Sequence, residues 1–326
     1  MHIPRIDSVA EGPRPLWSVM IPAYNGADYL TQTMQSVLAQ DPGQDNMQIE
    51  VIDDHSLKED LRAVVQRWGA GRVGYYRQPG NVGAVENFNT CVRRSRGEWV
   101  HILHSDDTVL PGFYEKLRIV TGPQTVGAAF CRSVTMNEDD QWIWIQALEA
   151  RRPGVIAGWL NRIAVVNPVR TPAMVVARRV YEEIGGYDDR LFHCADWDMW
   201  KRIAAHTEVW FEPAVLACYR EHSASDTSTL VQSGKNIEDM RRSIAIAQSY
   251  LPAADGARLS REAYRVCAYW AATTAGHMVR RRQLSGAWAQ SREALRTSRS
   301  PAFCLRVLGM LLHAGAALML RAVRGV

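Results

Sequence analysis

A chain of 326 residues that is 47% hydrophobic and 22% charged has the balance of an ordinary globular protein with room for one large core. Its six cysteines show no C-x-x-C spacing and no compact framework, which argues against a disulfide scaffold and for a reduced, cytoplasmic chain with buried thiols. The net charge of +4 hides an asymmetry: from Lys235 onward there are 15 Lys and Arg against 5 Asp and Glu, so that segment carries +10 and the first 234 residues −6.

Met1–Pro15 is Pro-rich and lacks an apolar run, so it reads as a flexible N-terminal tail (residues 1–15) rather than a signal peptide. Trp17–Ile21 reads as a strand stopped by Pro22. The loop Pro22-Ala23-Tyr24-Asn25-Gly26 then leads into a helix whose Leu30, Met34, Val37 and Leu38 share one face. Ile49–Ile52 is a second strand closing on Asp53-Asp54-His55-Ser56, followed by a helix with Leu61, Val64, Val65 and Trp68 inward. Val73–Tyr76 is a third strand, and Asn81-Val82-Gly83 opens a helix carrying Val85, Phe88, Cys91 and Val92.

The apolar run Trp99–Leu103 reads as a buried parallel strand, and it ends on His104-Ser105-Asp106-Asp107. Open α/β sheets place their ligands at such carboxyl ends, where paired carboxylates can hold a divalent cation. The same two acids can instead cap a helix starting near Pro111. A helix around Phe113–Val120 and a strand at Val126–Cys131 continue the alternation, which predicts βαβ units and a parallel sheet. Right-handed crossovers would then gather Tyr24, Asp54 and Asp106 along one edge.

Beyond Thr135 the pattern weakens. Trp142, Trp144 and Trp159 read as core or lid packing in preference to a sugar-stacking surface. Met174–Ala177 is a strand, Arg179–Ile184 a short helix stopped by Gly185-Gly186, and Asp196-Trp197-Asp198 opens another helix. Val209–Phe211 and Val215–Tyr219 read as two strands, with Arg220-Glu221-His222 just beyond. Ser223–Asn236 is Ser/Thr/Gly-rich and reads as a mobile loop. Helices follow: one from Ile237, one carrying Tyr264 to Met278 and ending at Arg280-Arg281-Arg282, and one over Leu284–Leu295. The last apolar segment, Phe303–Val323, is broken by His313 and holds only 14 residues between Arg306 and Arg321. That is short of the roughly 20 needed to span a bilayer, which leaves an interfacial helix or one packed on the protein. The basic C-terminal region suits an anionic lipid surface or a phosphorylated acceptor, or is a solvated Arg-rich face; nucleic acid is not expected.

Taken in order, these pieces resemble the inverting nucleotide-sugar glycosyltransferases of GT-A type, family 2. The resemblance rests on Ser18-Val19-Met20-Ile21-Pro22-Ala23-Tyr24-Asn25, Val51-Ile52-Asp53-Asp54-His55-Ser56, Asn81-Val82-Gly83 with Asn89, and Gly97-Glu98-Trp99 leading to Ser105-Asp106-Asp107. It continues through Gly185-Gly186-Tyr187-Asp188, Asp196-Trp197-Asp198 and Tyr219-Arg220-Glu221-His222. It implies an α/β, Rossmann-type, mostly parallel sheet flanked by helices over residues 16–225, with a nucleotide-binding half (16–131) and an acceptor half (132–225). The resemblance ends near residue 225; beyond it the chain's own pattern gives a mobile loop (226–236) and a basic α-helical C-terminal region (237–326).

The resemblance also implies roles. Asp54 would accept a hydrogen bond from the nucleotide base, in a pocket walled by Pro22, Ala23, Tyr24 and Asn25, with Asn81 and Asn89 as further donor contacts. Asp106 would bind Mg2+ or Mn2+, Asp107 would support it or touch the donor sugar, and His222 would be a further metal ligand. Arg220 would close over the diphosphate, and Asp196 would be the general base for the acceptor hydroxyl. The donor would be a UDP-, dTDP- or GDP-linked sugar and the acceptor a glycan, in a cytoplasmic enzyme of surface-glycan synthesis. The basic C-terminal region and its apolar last segment, outside the resemblance, point to a lipid-linked acceptor and peripheral association with the anionic inner face of the membrane.

Two positions depart from the pattern. His104 stands where the first Asp of Asp-x-Asp is usual, and imidazole can still bond a ribose hydroxyl. Ala195 precedes Asp196 where an acid is common. Asp198 is expected to face solvent or cap its helix, and His101 to be a satisfied core histidine. Two rival readings are a nucleotidyltransferase and an inactive sugar-nucleotide-binding scaffold. Against the first, no Gly-rich, Arg-containing loop follows the first strand; against a dinucleotide enzyme, no G-x-G-x-x-G is present.

Overall fold

The computed structural model describes residues 2–10, 12–122, 125–222, 226–305, 307–310 and 312. They form two compact units. Among the described residues, the first lies within 2–159, 168–190 and 202–221 and the second within 160–167, 191–201 and 222–312.

The first unit is built on a ten-stranded mixed sheet. In chain order its strands are β1 (Trp17–Ala23), β2 (Met47–Asp53), β3 (Val73–Arg77), β4 (Trp99–Ile102), β5 (Thr108–Val109) and β6 (Val126–Met136). Then come β7 (Trp142–Ile145), β8 (Gly154–Val155), β9 (Met174–Ala177) and β10 (Glu208–Arg220). The spatial order is β3-β2-β1-β4-β9-β6-β10-β5, with β7 beside β6 and β8 beside β10. β3, β2, β1 and β4 are parallel, β9 runs antiparallel between β4 and β6, and β10 returns parallel to β6. The connecting helices are α1 (Ala27–Leu38), α2 (Leu61–Trp68), α3 (Ala84–Arg94), α4 (Phe113–Leu117) and, after β9, α6 (Arg178–Ile184), with α5 (Trp159–Ile163) between β8 and β9.

Pro22 does not stop β1, which runs on to Ala23. The carbonyl of Met20 accepts from Leu103 N on the β4 side, so Pro22, two residues on, turns its missing N–H to that same side, beyond the last β4 pair Met20–Ile102. No ladder bond is lost there. The two strands expected at 209–219 are one, β10, interrupted by a bulge at Glu212–Ala217 where Pro213 sits. His101 is a satisfied core histidine: Nδ1 lies 3.0 Å from the Tyr114 hydroxyl, Nε2 3.0 Å from Pro172 O, and the ring stacks on Phe113.

Three expectations need correcting. Residues 2–15 do not hang free: Pro4 O accepts from Gly186 N, His2 O from Asp189 N and Asp7 O from Arg178, while Ile6 is buried. Backbone carbonyls dock this segment, and they leave no signature in side-chain pattern. Trp142 and Trp144 are exposed on β7, and only Trp159 is packed, stacked on Phe130 at 4.7 Å. The supposed loop 226–236 is helical, as described next.

The second unit is helical. It contains the start of α7 (Ala195–His206), then α8 (Asp226–Ser233), α9 (Lys235–Ala247), α10 (Gly256–Arg280) and α11 (Leu284–Thr297). α8 escapes composition-based reading because its Ser/Thr hydroxyls bond inward: Ser233 Oγ lies 3.2 Å from Thr229 O and 3.1 Å from Leu230 O. Gln290 of α11 fastens the segment by donating to Val231 O at 2.7 Å and Asn236 Oδ1 at 2.8 Å. Most of the terminal apolar stretch, residues 306, 311 and 313–326, and the loop residues 223–225 lie outside the described residues. No described helix is long and apolar enough to cross a membrane.

Candidate active site

The carboxyl ends of β1, β2 and β4 lie side by side, since Ala23 pairs with Asp53 and Met20 with Ile102 in parallel register. Of the acids after β2, Asp53 turns inward. It accepts from Ser56 N at 2.8 Å, Ser56 Oγ at 2.6 Å, Tyr75 Oη at 2.6 Å and Arg77 Nη1 at 3.2 Å, which fixes the turn. Asp54 follows with its N–H on Ala23 O, and its two oxygens accept from Val82 N (2.7 Å) and Gly83 N (2.9 Å), the amides that open α3. Asn81 donates to Asp54 O at 3.2 Å. Burial raises the Asp54 carboxyl, while those two amide bonds pull it down. The loop after β1 is tied to the same place: Asn25 N donates to Ser56 Oγ and Asn25 Oδ1 accepts from Leu57 N and Lys58 N. Asn25 and His55 both hold left-handed backbone, φ 58° and 60°, so two non-glycine residues carry local strain on this edge. Pro22 and Ala23 are buried, and Tyr24 is exposed beside them.

The turn after β4 gathers His104, Asp106 and Asp107, each with one donor atom within 4.8 Å of the others. Its backbone is held by α1: the Thr33 hydroxyl lies 2.9 Å from Ser105 O and 2.7 Å from Asp107 O. Asp107 is fully buried; Oδ1 accepts from Arg220 N at 2.8 Å, while Oδ2 has no hydrogen-bond partner and lies 3.7 Å from His104 Nδ1. His104 stacks on Phe88 at 5.2 Å, and its buried Nε2 is also unpartnered. Burial pushes the Asp107 carboxyl well above the usual carboxylate range, with the Asp106 charge adding to it. Burial lowers the His104 imidazole, against the opposing pull of Asp106. The orphaned Asp107 Oδ2 beside the Asp106 carboxylate offers hard oxygen donors that suit a divalent cation, and the orphaned His104 Nε2 is left for a further polar partner.

Arg220 is not free to close over a ligand. It is 1% exposed, and its guanidinium is consumed inside the protein: Nε on Asp106 O (2.9 Å), Nη1 on Asn137 O (3.3 Å) and Asp140 Oδ1 (2.5 Å), Nη2 on Gln32 Oε1 (2.6 Å). It lies 4.6 Å over the Tyr29 ring. Its job is to brace the Asp106–Asp107 turn. Asn89 is likewise a clamp: its amide donates to Tyr187 O at 3.1 Å and accepts from Tyr187 N at 2.7 Å, so both ends are spent on the fold. A cavity of about 1090 Å³ opens at the other end of the sheet, where β2 and β3 begin, and two of its arginines already pair with acids, Arg72 with Asp41 and Arg94 with Glu50. It is remote from the acid turn.

Asp196 and His222 belong to the second unit. Asp196 sits in the first turn of α7, Oδ1 2.6 Å from Trp197 N and Oδ2 3.4 Å from Asn167 Nδ2. The segment before it hangs on Asp239 of α9, whose Oδ2 accepts from Phe192 N, His193 N and Cys194 N at 3.1, 2.8 and 2.8 Å. Asp198 does not face solvent: it is fully buried and accepts from Tyr250 Oη at 2.7 Å. His222 contributes its carbonyl to Ser228 Oγ at 3.1 Å.

Residues 18–184 match the profile of glycosyl transferase family 2, just over half of the chain. The chain belongs to this family. Among relatives, the uncharacterized protein MT1568 of Mycobacterium tuberculosis is 26% identical over 240 residues, covering 70% of this chain and 74% of its own. The N-acetylglucosaminyltransferase of Mesorhizobium japonicum is 32% identical over 136 residues, 40% of this chain and 31% of its own. Two solved structures share the fold. S. aureus TarS 1–349 in complex with UDP-GlcNAc superposes with TM-score 0.62 at 12% identity, covering 95% of this chain and 92% of that one. The mannosyltransferase PcManGT from Pyrobaculum calidifontis in complex with GDP-Man and Mn2+ superposes with TM-score 0.58 at 19% identity, covering 96% and 86%. The GT-A-type sheet with a helical C-terminal region is therefore the architecture of this family 2 member, and glycosyl transfer the role it supports.

The supports of the acid turn and of the turn after β2 that sequence reading passed over in this family 2 member are Tyr29, Gln32, Thr33, Asp53 and Asp140, and within the second unit Asp239 went unread likewise. The first three recur at i, i+3 and i+4 on α1, a polar stripe that borders its apolar face and was legible in principle. Nothing in the sequence pairs Asp140 or Asp239 with their distant partners.

Proposed function

We propose that this chain is an inverting, metal-dependent glycosyltransferase that moves a hexosyl-type sugar from a nucleoside-diphosphate sugar to an acceptor hydroxyl in bacterial-type surface-glycan synthesis. The observation that carries the reading is the His104–Asp106–Asp107 turn, whose buried His104 Nε2 and Asp107 Oδ2 lack partners at the carboxyl ends of the parallel strands. TarS was crystallised with UDP-GlcNAc and PcManGT with GDP-Man and Mn2+, which favours a UDP- or GDP-linked donor here and Mg2+ or Mn2+ held by Asp106, with Asp107 and His222 in support. When bound, the cation neutralises charge that builds on the leaving diphosphate.

The chain's own residues do the rest. Asp54 and Asn81, with the Pro22–Asn25 loop, wall the base pocket, and His104 offers its ring to a ribose hydroxyl. Asp196 takes the proton of the acceptor hydroxyl as the new bond to the anomeric carbon forms and the bond to the diphosphate breaks. A single displacement of this kind inverts the anomeric centre. The acceptor is lipid-carried, which accounts for a basic C-terminal region in a protein that visits the inner face of the membrane.

The test is a thermal-shift screen of UDP-, dTDP- and GDP-sugars with each cation, followed by transfer assays. One donor should raise the melting point selectively, since a ligand bound only to the folded state stabilises it. Asp106→Ala should lose the cation-dependent part of that shift. If no donor stabilises the protein, the transferase reading gives way to a scaffold; if a nucleoside triphosphate with a sugar phosphate yields pyrophosphate, it gives way to nucleotidyl transfer.

A further inference from the structure

Away from the acid turn, α11 turns an unusual face to solvent. Leu284, Trp288 and Leu295 are 63, 71 and 40% exposed. At 3.6 residues per turn they fall within about 40° of one another, and Arg292 borders them at about 80° from Leu284. The corner before α11 is Arg280-Arg281-Arg282, closed by Gln283 N on Met278 O at 2.9 Å. Arg282 holds that corner at φ 60°, a left-handed conformation in which glycine is the unstrained residue. Arg280, Arg281 and Arg282 are all exposed at this corner. After Glu262 the sequence contains a single acid, Glu293, and it is buried and shared among Arg241, Arg292 and Arg296. The face thus offers two leucines and a tryptophan rimmed by arginines, with no exposed acid near it in sequence.

We propose that this face of α11, together with the Arg280–Arg282 corner, docks the protein on an anionic lipid surface. Trp288 would sit at headgroup level, Leu284 and Leu295 would enter the acyl boundary, and the arginines would meet lipid phosphates with their stems lying along the apolar strip. A nucleic acid would leave the three apolar side chains without use, and water alone leaves them uncovered. The proposal rests on the lipid-carried acceptor described above and names the surface by which the enzyme reaches it.

Flotation of the full chain with vesicles tests this. Wild type should float with phosphatidylcholine vesicles containing phosphatidylglycerol at low salt, float weakly with pure phosphatidylcholine, and release at high salt. Each arginine removed should lower partitioning about fivefold, so Arg281→Gln with Arg282→Gly should lower it about 25-fold. Arg282→Gly relieves the left-handed backbone, so this variant should melt no lower than wild type, which separates lost docking from lost folding. Trp288→Ser should weaken flotation at every lipid charge. The proposal is overturned if wild type stays unbound at low salt, if the arginine pair floats like wild type, or if the protein is retained by polyglutamate and not by vesicles. Donor-induced thermal shifts of the same proteins read the transfer proposal separately: donor binding without flotation sinks only the docking, and flotation without donor binding sinks only the transfer.

Discussion

The backbone N–H of Arg220 donates to Asp107 Oδ1 at 2.8 Å across 113 residues of chain, while the Nε of the same arginine holds the carbonyl of Asp106 at 2.9 Å. One residue at the end of β10 therefore holds the Asp107 carboxylate and the Asp106 backbone in the turn after β4. Arg220→Lys should keep the charge and lose the fork, because an ammonium cannot reach Asp106 O, Asp140 and Gln32 together. A loss of about 2–4 kcal/mol in denaturant unfolding is expected. The donor-induced thermal shift should shrink with it; parental stability and binding in Arg220→Lys would remove the bracing role.

That relationship also marks how far the sequence reaches. Apolar runs located β1, β2 and β4, which are buried on both faces, helical periodicity located α1 and α3, which bury one, and parallel ordering put Asp54 and Asp106 on one sheet edge. Residue identities in the Tyr-Arg-Glu-His stretch were equally plain, but identity does not name a partner. Arg220 looks like a phosphate ligand until Asp140 and Gln32 are seen to occupy it. Asn89 looks like a donor contact until Tyr187 claims both ends of its amide. The docked N-terminus and α8 were hidden because their bonds run through backbone carbonyls and inward-turned hydroxyls. Asp54 and Asp53 could not be told apart by type, and only the inward hydrogen bonds of Asp53 separate the structural acid from its neighbour.

Asn89 and Gly186 should behave as one unit. Asn89 clamps Tyr187, and a Cβ added at Gly186 would stand 2.3 Å from Asn89 Oδ1. Asn89→Ala should cost about 2–3 kcal/mol through the two orphaned backbone groups of Tyr187. Gly186→Ala should cost a comparable amount through the clash. Because shortening Asn89 removes the atom that Gly186→Ala strikes, the double variant should lose less than the sum of the two, read as a coupling term in urea unfolding. Simple additivity would mean the clamp yields without strain.

His101 should make the fold acid-sensitive. Burial depresses its folded pKa to about 3, whereas an unfolded imidazole titrates near 6.5. Between those values the unfolded chain binds a proton that the folded chain refuses. The histidine's contribution is therefore intact above about pH 6.5 and lost as the pH falls toward 3, about 2 kcal/mol by pH 5. His101→Gln keeps an amide for Pro172 O and the Tyr114 hydroxyl but has no proton to take up. Its stability should be lower at pH 7 and flatter between pH 7 and 5 than wild type; parallel pH curves would assign the acid lability to other groups.

The two carboxylates of Asp196-Trp197-Asp198 should separate cleanly by assay. Asp198 is fully buried against the Tyr250 hydroxyl, with its Oδ1 2.7 Å away, so Asp198→Ala should lower unfolding stability by about 2–3 kcal/mol by removing that charge-assisted bond and the buried volume of the side chain. Asp196 stands in the first turn of α7, half-buried, and its preceding segment is fixed by the three amides that Asp239 holds. Asp196→Asn keeps the shape and removes the basic oxygen. It should leave melting temperature and donor binding near wild type while transfer falls by about 100-fold or more, the scale of a positioned general base. Asp239→Asn supplies the control: an amide can still accept through its oxygen but weakens the three N–H bonds, so turnover should drop partway with the donor-induced shift unchanged. If Asp196→Asn turns over normally, the base lies elsewhere and the helix start is only a cap.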